Sequence, residues 1–432
     1  MKTKIGINGF GRIGRSAFKV AFERSDLEIA AVNDLSDTKT LAHLLKHDSN
    51  YGTYQHNVGH DEQNIIVDGQ KIKVLAEKDP AKLPWRDLGV EVVIESTGLF
   101  VDPAKARAHV DAGAKKVIIS APAKGEGAKT VVIGVNEGQL KDAPEVISNA
   151  SCTTNCITPV MAILEDNFGI EKAMMSTVHS YTASQRLQDA PAKDLREARN
   201  AATNIVPTTT GASIAAAKAL PALEGIFGGM SIRVPTAVVS ISDFTVITKR
   251  DVTVDEVNSV FKKAAADPYF QGVLDVTEEE LVSSDFIGNS HSAIVDLKLT
   301  SVVGGNMLKV MAWYDNEWGY SNRLIEVTAD VANLLQNGNL KRNAPGAEVS
   351  EKSNEEPETK PNVPGDTILP DEPLLEAPEN DQKEQQLPVH TEFDENAAHK
   401  NMDSLLDEPK AEQAAGPVDD GLSGPVSGIH RF

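Results

Sequence analysis

The chain has 432 residues, 41% of them apolar, and a formal net charge of −21, which leaves room for two domains and accessory segments. That charge argues against binding nucleic acid through its phosphates, and no run approaches the roughly 18 apolar residues of a membrane-spanning helix. The two cysteines, Cys152 and Cys156, exclude a disulfide framework and fit a reducing, cytoplasmic setting; with no second Cys/His cluster they make a poor zinc site, so no metal is expected.

The N-terminus, Met1-Lys2-Thr3, passes straight into a strand pattern, so no signal peptide is expected. Lys4-Ile5-Gly6-Ile7-Asn8 reads as a buried parallel strand, followed at once by Gly9-Phe10-Gly11-Arg12-Ile13-Gly14. A helical run over 15–24 comes next, then a strand over 28–32 that ends at Asn33-Asp34. A bare G-x-G-x-x-G is weak evidence, because glycine-rich turns are common. Here a strand precedes it, a helix follows, and an acid lies twenty positions beyond Gly14, which matches a dinucleotide fingerprint. In that reading Gly9 allows the tight turn, Gly11 lets backbone approach a pyrophosphate, and Gly14 lets helix pack on strand. Asp34 would accept hydrogen bonds from the adenosine ribose hydroxyls and repel a 2′-phosphate. The plainer alternative for Asp34 is a solvated turn residue.

Apolar runs at 91–95, 116–120 and 130–135, with a helical stretch at 102–112, continue the alternation of strand and helix. The pattern implies an α/β, doubly wound parallel sheet of the Rossmann type over 1–150. Ser96-Thr97-Gly98 and Ser120-Ala121-Pro122 fall at the carboxyl ends of strands, where such sheets bind ligands.

The stretch Ser151-Cys152-Thr153-Thr154-Asn155-Cys156 follows a strand-like run at 145–148 and precedes a helical run at 157–166. A thiol at the start of a helix meets unpaired N–H groups and partial positive charge, which favour the thiolate. The flanking hydroxyls could donate to an oxyanion or a phosphate. His179, in Ser176-Thr177-Val178-His179, is the candidate base. A buried structural cysteine is the competing reading.

Beyond residue 165, strand-like runs at 172–178, 232–234, 237–248 and 307–313 with fewer helices between them suggest an α+β catalytic domain over 151–315, its sheet mainly antiparallel. Residues 181–204 are polar and irregular and read as a long loop with a short helix. A helix around 328–336, placed within 316–338, is expected to pack back on the first domain. From 341 to 432 there are 21 acidic and 8 basic residues and eleven of the 22 prolines. Such a segment buries too little apolar area to offset its ordering entropy, so it reads as a disordered acidic tail.

Several motifs together resemble the phosphorylating glyceraldehyde-3-phosphate dehydrogenases of bacterial type. They are Asn8-Gly9-Phe10-Gly11-Arg12-Ile13-Gly14-Arg15, Ala150-Ser151-Cys152-Thr153-Thr154-Asn155-Cys156 and Val178-His179-Ser180-Tyr181-Thr182. Asn204-Ile205-Val206-Pro207-Thr208-Thr209-Thr210-Gly211, Arg233-Val234-Pro235 and Trp313-Tyr314-Asp315-Asn316-Glu317-Trp318-Gly319 complete the set. The likeness runs from the N-terminus to about Leu340 and stops before the tail. It implies a Cys152 nucleophile, a His179 base, NAD as cofactor, a triose phosphate and inorganic phosphate as substrates, and a homotetramer. It also implies that Arg12, Ile13, Asp34, Lys78, Ser120 and Asn316 contact the cofactor, with Asn316 on the nicotinamide carboxamide. Thr182 and Arg233 would hold the substrate's own phosphate; Ser151, Thr153, Thr210 and Gly211, with Arg199 nearby, would hold the attacking one. Cys156 is implied to be structural.

Two departures stand out. Asp189-Ala190-Pro191 carries alanine where NAD-preferring bacterial relatives often have leucine, which leaves NADP as a weaker alternative to NAD. The tail holds no cysteine, so the redox switch of some photosynthetic relatives is excluded, and its partner stays unassigned. Two other readings remain open at this point: a dehydrogenase of another phosphorylated aldehyde such as erythrose 4-phosphate, and a scaffold whose tail recruits a basic partner.

Overall fold

The computed structural model describes residues 2–340; the acidic tail lies outside the described residues. The first sheet has nine strands. From edge to edge they are Ala128–Thr130, Val146–Ser148, Lys116–Ile119, Val92–Glu95, Thr3–Asn8, Leu27–Asn33, Gln70–Leu75, Asn64–Val67 and Val58–His60. Pairing is parallel as far as Gln70–Leu75, and the last two strands fold back antiparallel. Strands covered on both faces must be apolar throughout, and Ile5, Ile7, Val92, Val93 and Ile94 are fully buried. The order reverses between Thr3–Asn8 and Val92–Glu95, which opens a crevice at their carboxyl ends.

Helix Arg12–Phe22 packs against the C-terminal helix Trp318–Asn337. Tyr320, Leu324, Ile325 and Val327 of that last helix share one core with Ile5, Ile7 and Phe18. Part of the chain's end therefore completes the core of its beginning.

The second sheet runs Val206–Thr208, Phe227–Val234, Ile170–Ser180, Ser240–Thr248, Met307–Tyr314, Ala293–Asp296 and Leu274–Thr277, with Ser301–Val303 beside Met307–Tyr314. Most of its pairs are antiparallel; two are parallel. Strand Ile170–Ser180 alternates, so that Ala173, Met175, Thr177 and His179 point inward while Met174 is exposed. Helix Cys152–Phe168 belongs to the core on that inner face, together with Phe244, Val246, Leu308 and Val310.

The run at 130–135 is not a strand. Pairing ends at Thr130, and residues 133–136 form a turn with Gly134 at φ +84°. Asn136 Oδ1 accepts the Val132 N–H at 2.8 Å, closing that turn. Val131, Val132 and Ile133 are buried as loop packing, which is why the segment mimics a strand. The loop 181–204 contains no helix; a single bridge between Arg186 and Asn200 closes it. Helices Arg12–Phe22 and Cys152–Phe168 both begin earlier than their apolar patterns suggest, because polar first turns carry little hydrophobic signal.

Candidate active site

Three glycines shape the crevice. Gly9 adopts φ +91°, which L side chains rarely tolerate. A Cβ on Gly14 would stand 2.0 Å from the Gly9 carbonyl oxygen, whereas one on Gly11 would meet nothing within 4 Å. Gly14 thus serves packing, and Gly11 leaves an open approach. Helix Arg12–Phe22 has no side-chain cap, and its first internal bond is made by the Arg15 N–H to Gly11 O. The N–H groups of Arg12, Ile13 and Gly14 therefore face outward as an anion site.

Asp34, just past the neighbouring strand, accepts the N–H of Phe10 at 2.9 Å and of Ser36 at 3.0 Å. Its carboxylate is pinned at the mouth with lone pairs to spare for ribose hydroxyls. The Arg12 guanidinium is committed to Glu317 and Asp48. Ile13 packs on the first core, Lys78 is exposed, and the Ser120 N–H donates to Glu95 O at 2.9 Å. Asn316 is buried, its Oδ1 accepting from Ser240 Oγ at 3.2 Å. A glycine cradle, an outward helix terminus, a pinned acid and a buried carboxamide fit a dinucleotide.

Beneath the crevice lies a polar network that residue patterns do not reveal. Glu95 accepts from Asn8, from the N–H and hydroxyl of Thr97, and from His109 Nε2, while Trp85 Nε1 donates to His109 Nδ1. With Nδ1 accepting, the proton of His109 sits on Nε2. The one sequence signal was an acid ending an otherwise apolar strand run.

Cys152 is the first residue of its helix, with Ser151 as cap: Ser151 Oγ accepts the Thr154 N–H at 3.0 Å. The Cys152 Sγ lies 3.5 Å from His179 Nε2. His179 Nδ1 sits 2.7 Å from Ser180 O, an acceptor only; that bond calls for a proton on Nδ1 and leaves the Nε2 lone pair to the thiol, while the Arg233 guanidinium, a donor only, competes for the same nitrogen. Strand register sets the third partner, since His179 pairs with Arg233 across parallel strands. The Arg233 guanidinium touches both His179 Nδ1 and Ser180 O, and its Nε is buried without a protein partner.

Burial pushes the Cys152 thiol up, against the pull of Arg233 and of the Thr153 hydroxyl and N–H. Burial, then the Arg233 charge, lowers His179 to about 3. Each alone is held neutral. Moving the proton from Sγ to Nε2 creates an ion pair whose attraction is roughly 5 kcal/mol at 3.5 Å and an effective dielectric of about 20. Depressing the imidazole from 6.5 to about 3 costs a comparable amount, at about 1.4 kcal/mol per unit. The thiol also starts above the imidazole, 9.0 against 6.5, and is raised further, so the attraction offsets only part of the cost of moving the proton. Tyr314, buried beneath, is bonded to the hydroxyls of Thr153 and Thr177, which fixes the floor of the site.

The other anion-site candidates divide by their partners. The Ser151 hydroxyl also contacts Thr154 Oγ1 at 2.7 Å, and Thr182 contacts Ser184 Oγ at 3.0 Å. Thr210 and Gly211 precede helix Ala212–Ala219, with Thr210 Oγ1 accepting the Ala212 N–H. Arg199 is exposed and ion-paired with Asp189 at 2.9 Å. A cavity of about 550 Å³ touches Thr210 but neither Cys152 nor His179, so the chemistry is located by the Sγ–Nε2 pair instead. Cys156 is fully buried near Ser242 Oγ and Ala312 O, as a structural thiol. Among the described residues, no helix is long and apolar enough to cross a membrane, and no cluster of three or more His, Cys, Asp or Glu is arranged to hold a metal.

The sequence is similar to those of known proteins. Residues 3–103 match the family described as glyceraldehyde 3-phosphate dehydrogenase, NAD binding domain, and residues 151–316 match its C-terminal domain. The glyceraldehyde-3-phosphate dehydrogenase of Streptomyces coelicolor is 53% identical over 337 residues, covering 78% of this chain and all of the relative. That of Geobacillus stearothermophilus is 51% identical over 333 residues, 77% of this chain and 99% of the relative. A Bacillus cereus enzyme of the same name is 53% identical over 328 residues, 76% of this chain and 98% of its own.

Proposed function

The chain belongs to the glyceraldehyde-3-phosphate dehydrogenase family, and we propose that Cys152 and His179 are the nucleophile and base of its reaction. That reaction is the NAD-dependent, reversible oxidative phosphorylation of glyceraldehyde 3-phosphate to 1,3-bisphosphoglycerate, a step of glycolysis. The observation carrying the assignment is the 3.5 Å approach of Sγ to His179 Nε2, the ring nitrogen opposite the one that Ser180 O holds.

Cys152 thiolate adds to the aldehyde carbon, and the carbonyl oxygen takes up a proton to give a hemithioacetal. His179 Nε2 then removes the hydroxyl proton as the C–H bond breaks, a role typically worth about 10²–10⁴ in rate. NAD, when bound, accepts the hydride. The carbon is left as a thioester on Cys152, which phosphate attacks to release the acyl phosphate and regenerate the thiolate. Gly9, Gly11, Gly14 and the N–H groups of Arg12 and Ile13 would hold the pyrophosphate, with Asp34 on the ribose. Lys78 and Ser120 would line the adenosine side, and Asn316 would anchor the carboxamide.

Arg233, with a buried Nε lacking a protein partner, and Thr182 suit the substrate's phosphate. Ser151, Thr153, Thr210 and Gly211 suit the attacking phosphate. Arg199 would join them only by leaving Asp189. We take 1–150 with the C-terminal helix as the NAD-binding domain and 151–315 as the catalytic domain. A homotetramer is supported by the exposure of Leu187, Leu195, Ile205, Met174 and Met230 on and beside the second sheet. The cytoplasm is the proposed location, and no partner is assigned to 341–432.

Initial rates with glyceraldehyde 3-phosphate and phosphate, comparing NAD with NADP, test the reading. NAD should dominate because of Asp34. Comparable efficiencies with the two cofactors would refute that preference, and activity without added phosphate or arsenate would refute the phosphorylating reaction.

A further inference from the structure

Asn316 sits in a strictly held backbone. Asp315 Oδ1 accepts the N–H groups of Glu317 and Trp318 and the hydroxyl of Tyr51, while Oδ2 accepts the Gly288 N–H. Its side chain has one protein contact that decides its chemistry. Ser240 Oγ, itself buried, accepts the Ser180 N–H at 3.2 Å and lies 3.2 Å from Asn316 Oδ1. A serine hydroxyl has a single proton. The atom of Asn316 nearest to it is the carboxamide oxygen, which only accepts, so the serine donates that proton to Oδ1 while one of its lone pairs takes the Ser180 N–H.

Ser240 is delivered there by a strained step. Val239 adopts φ +73°, where a β-branched residue is a genuine outlier. The step is held from both sides: Val239 O accepts from Ser180 Oγ at 2.6 Å, and the Val239 side chain is buried with Val238, Phe286 and Ile294. Ser180 thus touches three things at once. Its carbonyl fixes His179 Nδ1, its hydroxyl holds Val239, and its N–H orients Ser240.

We propose that Ser240 is a positioning residue that sets the hydrogen-bond polarity of Asn316. It does so by holding Oδ1 and turning the Nδ2 amino group toward the cofactor as a donor only. Asn316 then selects a carbonyl oxygen at position 3 of the pyridinium ring and does not read the amino group beside it. The proposal deepens the assignment of Asn316 to the nicotinamide carboxamide and rests on it.

Equilibrium binding to the full-length chain tests it, with three probes: NAD, its 3-acetylpyridine analogue, which keeps the carbonyl oxygen, and an analogue with hydrogen at position 3. The wild type should bind the first two comparably and the third more weakly, by about two- to tenfold, the usual worth of one neutral hydrogen bond. Ser240→Ala should shrink that ratio toward one, and Ser240→Thr, which keeps the hydroxyl, should restore it. The ratio is taken within one variant, so a general loss of affinity cancels. If Ser240→Ala does not fold, Ser240→Cys, a weak donor, carries the same comparison. A ratio that collapses in Asn316→Ala but survives in the Ser240 variant overturns the role of Ser240 and leaves Asn316 in place. A ratio unchanged in both overturns the Asn316 assignment and the proposal with it.

Discussion

His179 Nε2 faces Cys152 Sγ at 3.5 Å because the opposite ring nitrogen is tied to Ser180 O at 2.7 Å. With the proton on Nδ1, the imidazole is a lone-pair acceptor toward the thiol before any substrate arrives. His179→Asn should lower kcat by about 10²–10⁴, the usual contribution of a positioned base. It should also move the midpoint of Cys152 alkylation by iodoacetamide to higher pH. The sign follows from the surroundings: burial raises the thiol, and without the imidazole its proton must go to solvent. An unchanged alkylation profile would remove His179 from the pair. Cys152→Ser should abolish hydride transfer altogether.

The second and third glycines of the fingerprint should fail differently. A Cβ at Gly14 would lie 2.0 Å from a backbone oxygen, which cannot move without breaking the turn. Gly14→Ala should therefore lower Tm by several degrees, on the scale of a core overpacking of about 1–3 kcal/mol. At Gly11 the same atom meets nothing. Gly11→Ala should leave Tm nearly unchanged yet weaken NAD binding, because the Cβ takes the space left for the pyrophosphate. Equal effects of the two substitutions on Tm would contradict the separation of roles.

Arg233 is the cation nearest the base, and burial leaves its Nε unpaired within the protein. Arg233→Met should raise KM for glyceraldehyde 3-phosphate by about tenfold or more, since a charged hydrogen bond contributes about 1.5–3 kcal/mol. Unphosphorylated glyceraldehyde should feel the change far less. The comparison of the two substrates isolates the phosphate contact from any effect on His179. A parallel loss with both would assign Arg233 to the catalytic pair and not to substrate binding.

What the residues announced in advance was local. Only glycine can occupy positions 9 and 14 in a strand–turn–helix of this geometry, so the cradle was legible. Two other local signals were there to be read: Asp68-Gly69, both at positive φ, turns the hairpin between Asn64–Val67 and Gln70–Leu75, and Thr253 caps helix Val254–Ala265 three residues before Glu256. The false strand at 130–135 shows the converse, since burial alone makes a turn apolar. Nothing local relates Arg233 to His179, or Ser240 to Asn316. Strand register and crossover bring those pairs together, and register is a property of the whole sheet.

The surface hairpin provides a test of linkage away from the active site. His56 Nδ1 lies 2.6 Å from Asp68 Oδ2, and Nε2 reaches Glu23. The bond to Asp68, followed by that to Glu23, raises His56 above its ordinary 6.5, and the bond from His56 lowers Asp68 below 3.8. A histidine raised on folding binds its proton more tightly in the native state, so its stabilisation is complete below 6.5 and is lost as pH climbs through the raised value. The lowered carboxylate works from the other side, stabilising above 3.8 and failing as pH drops through the native value. The pair is therefore strongest between those limits. The Tm gap between wild type and His56→Gln should be widest near pH 5–6, by the same linkage, and close as pH rises past the raised value of His56. Because the pair is largely solvent-exposed, the gap should also shrink at high salt. A gap that stays constant from acid to alkaline pH would mean that His56 contributes by packing against Phe22 and Tyr54 and not by its charge.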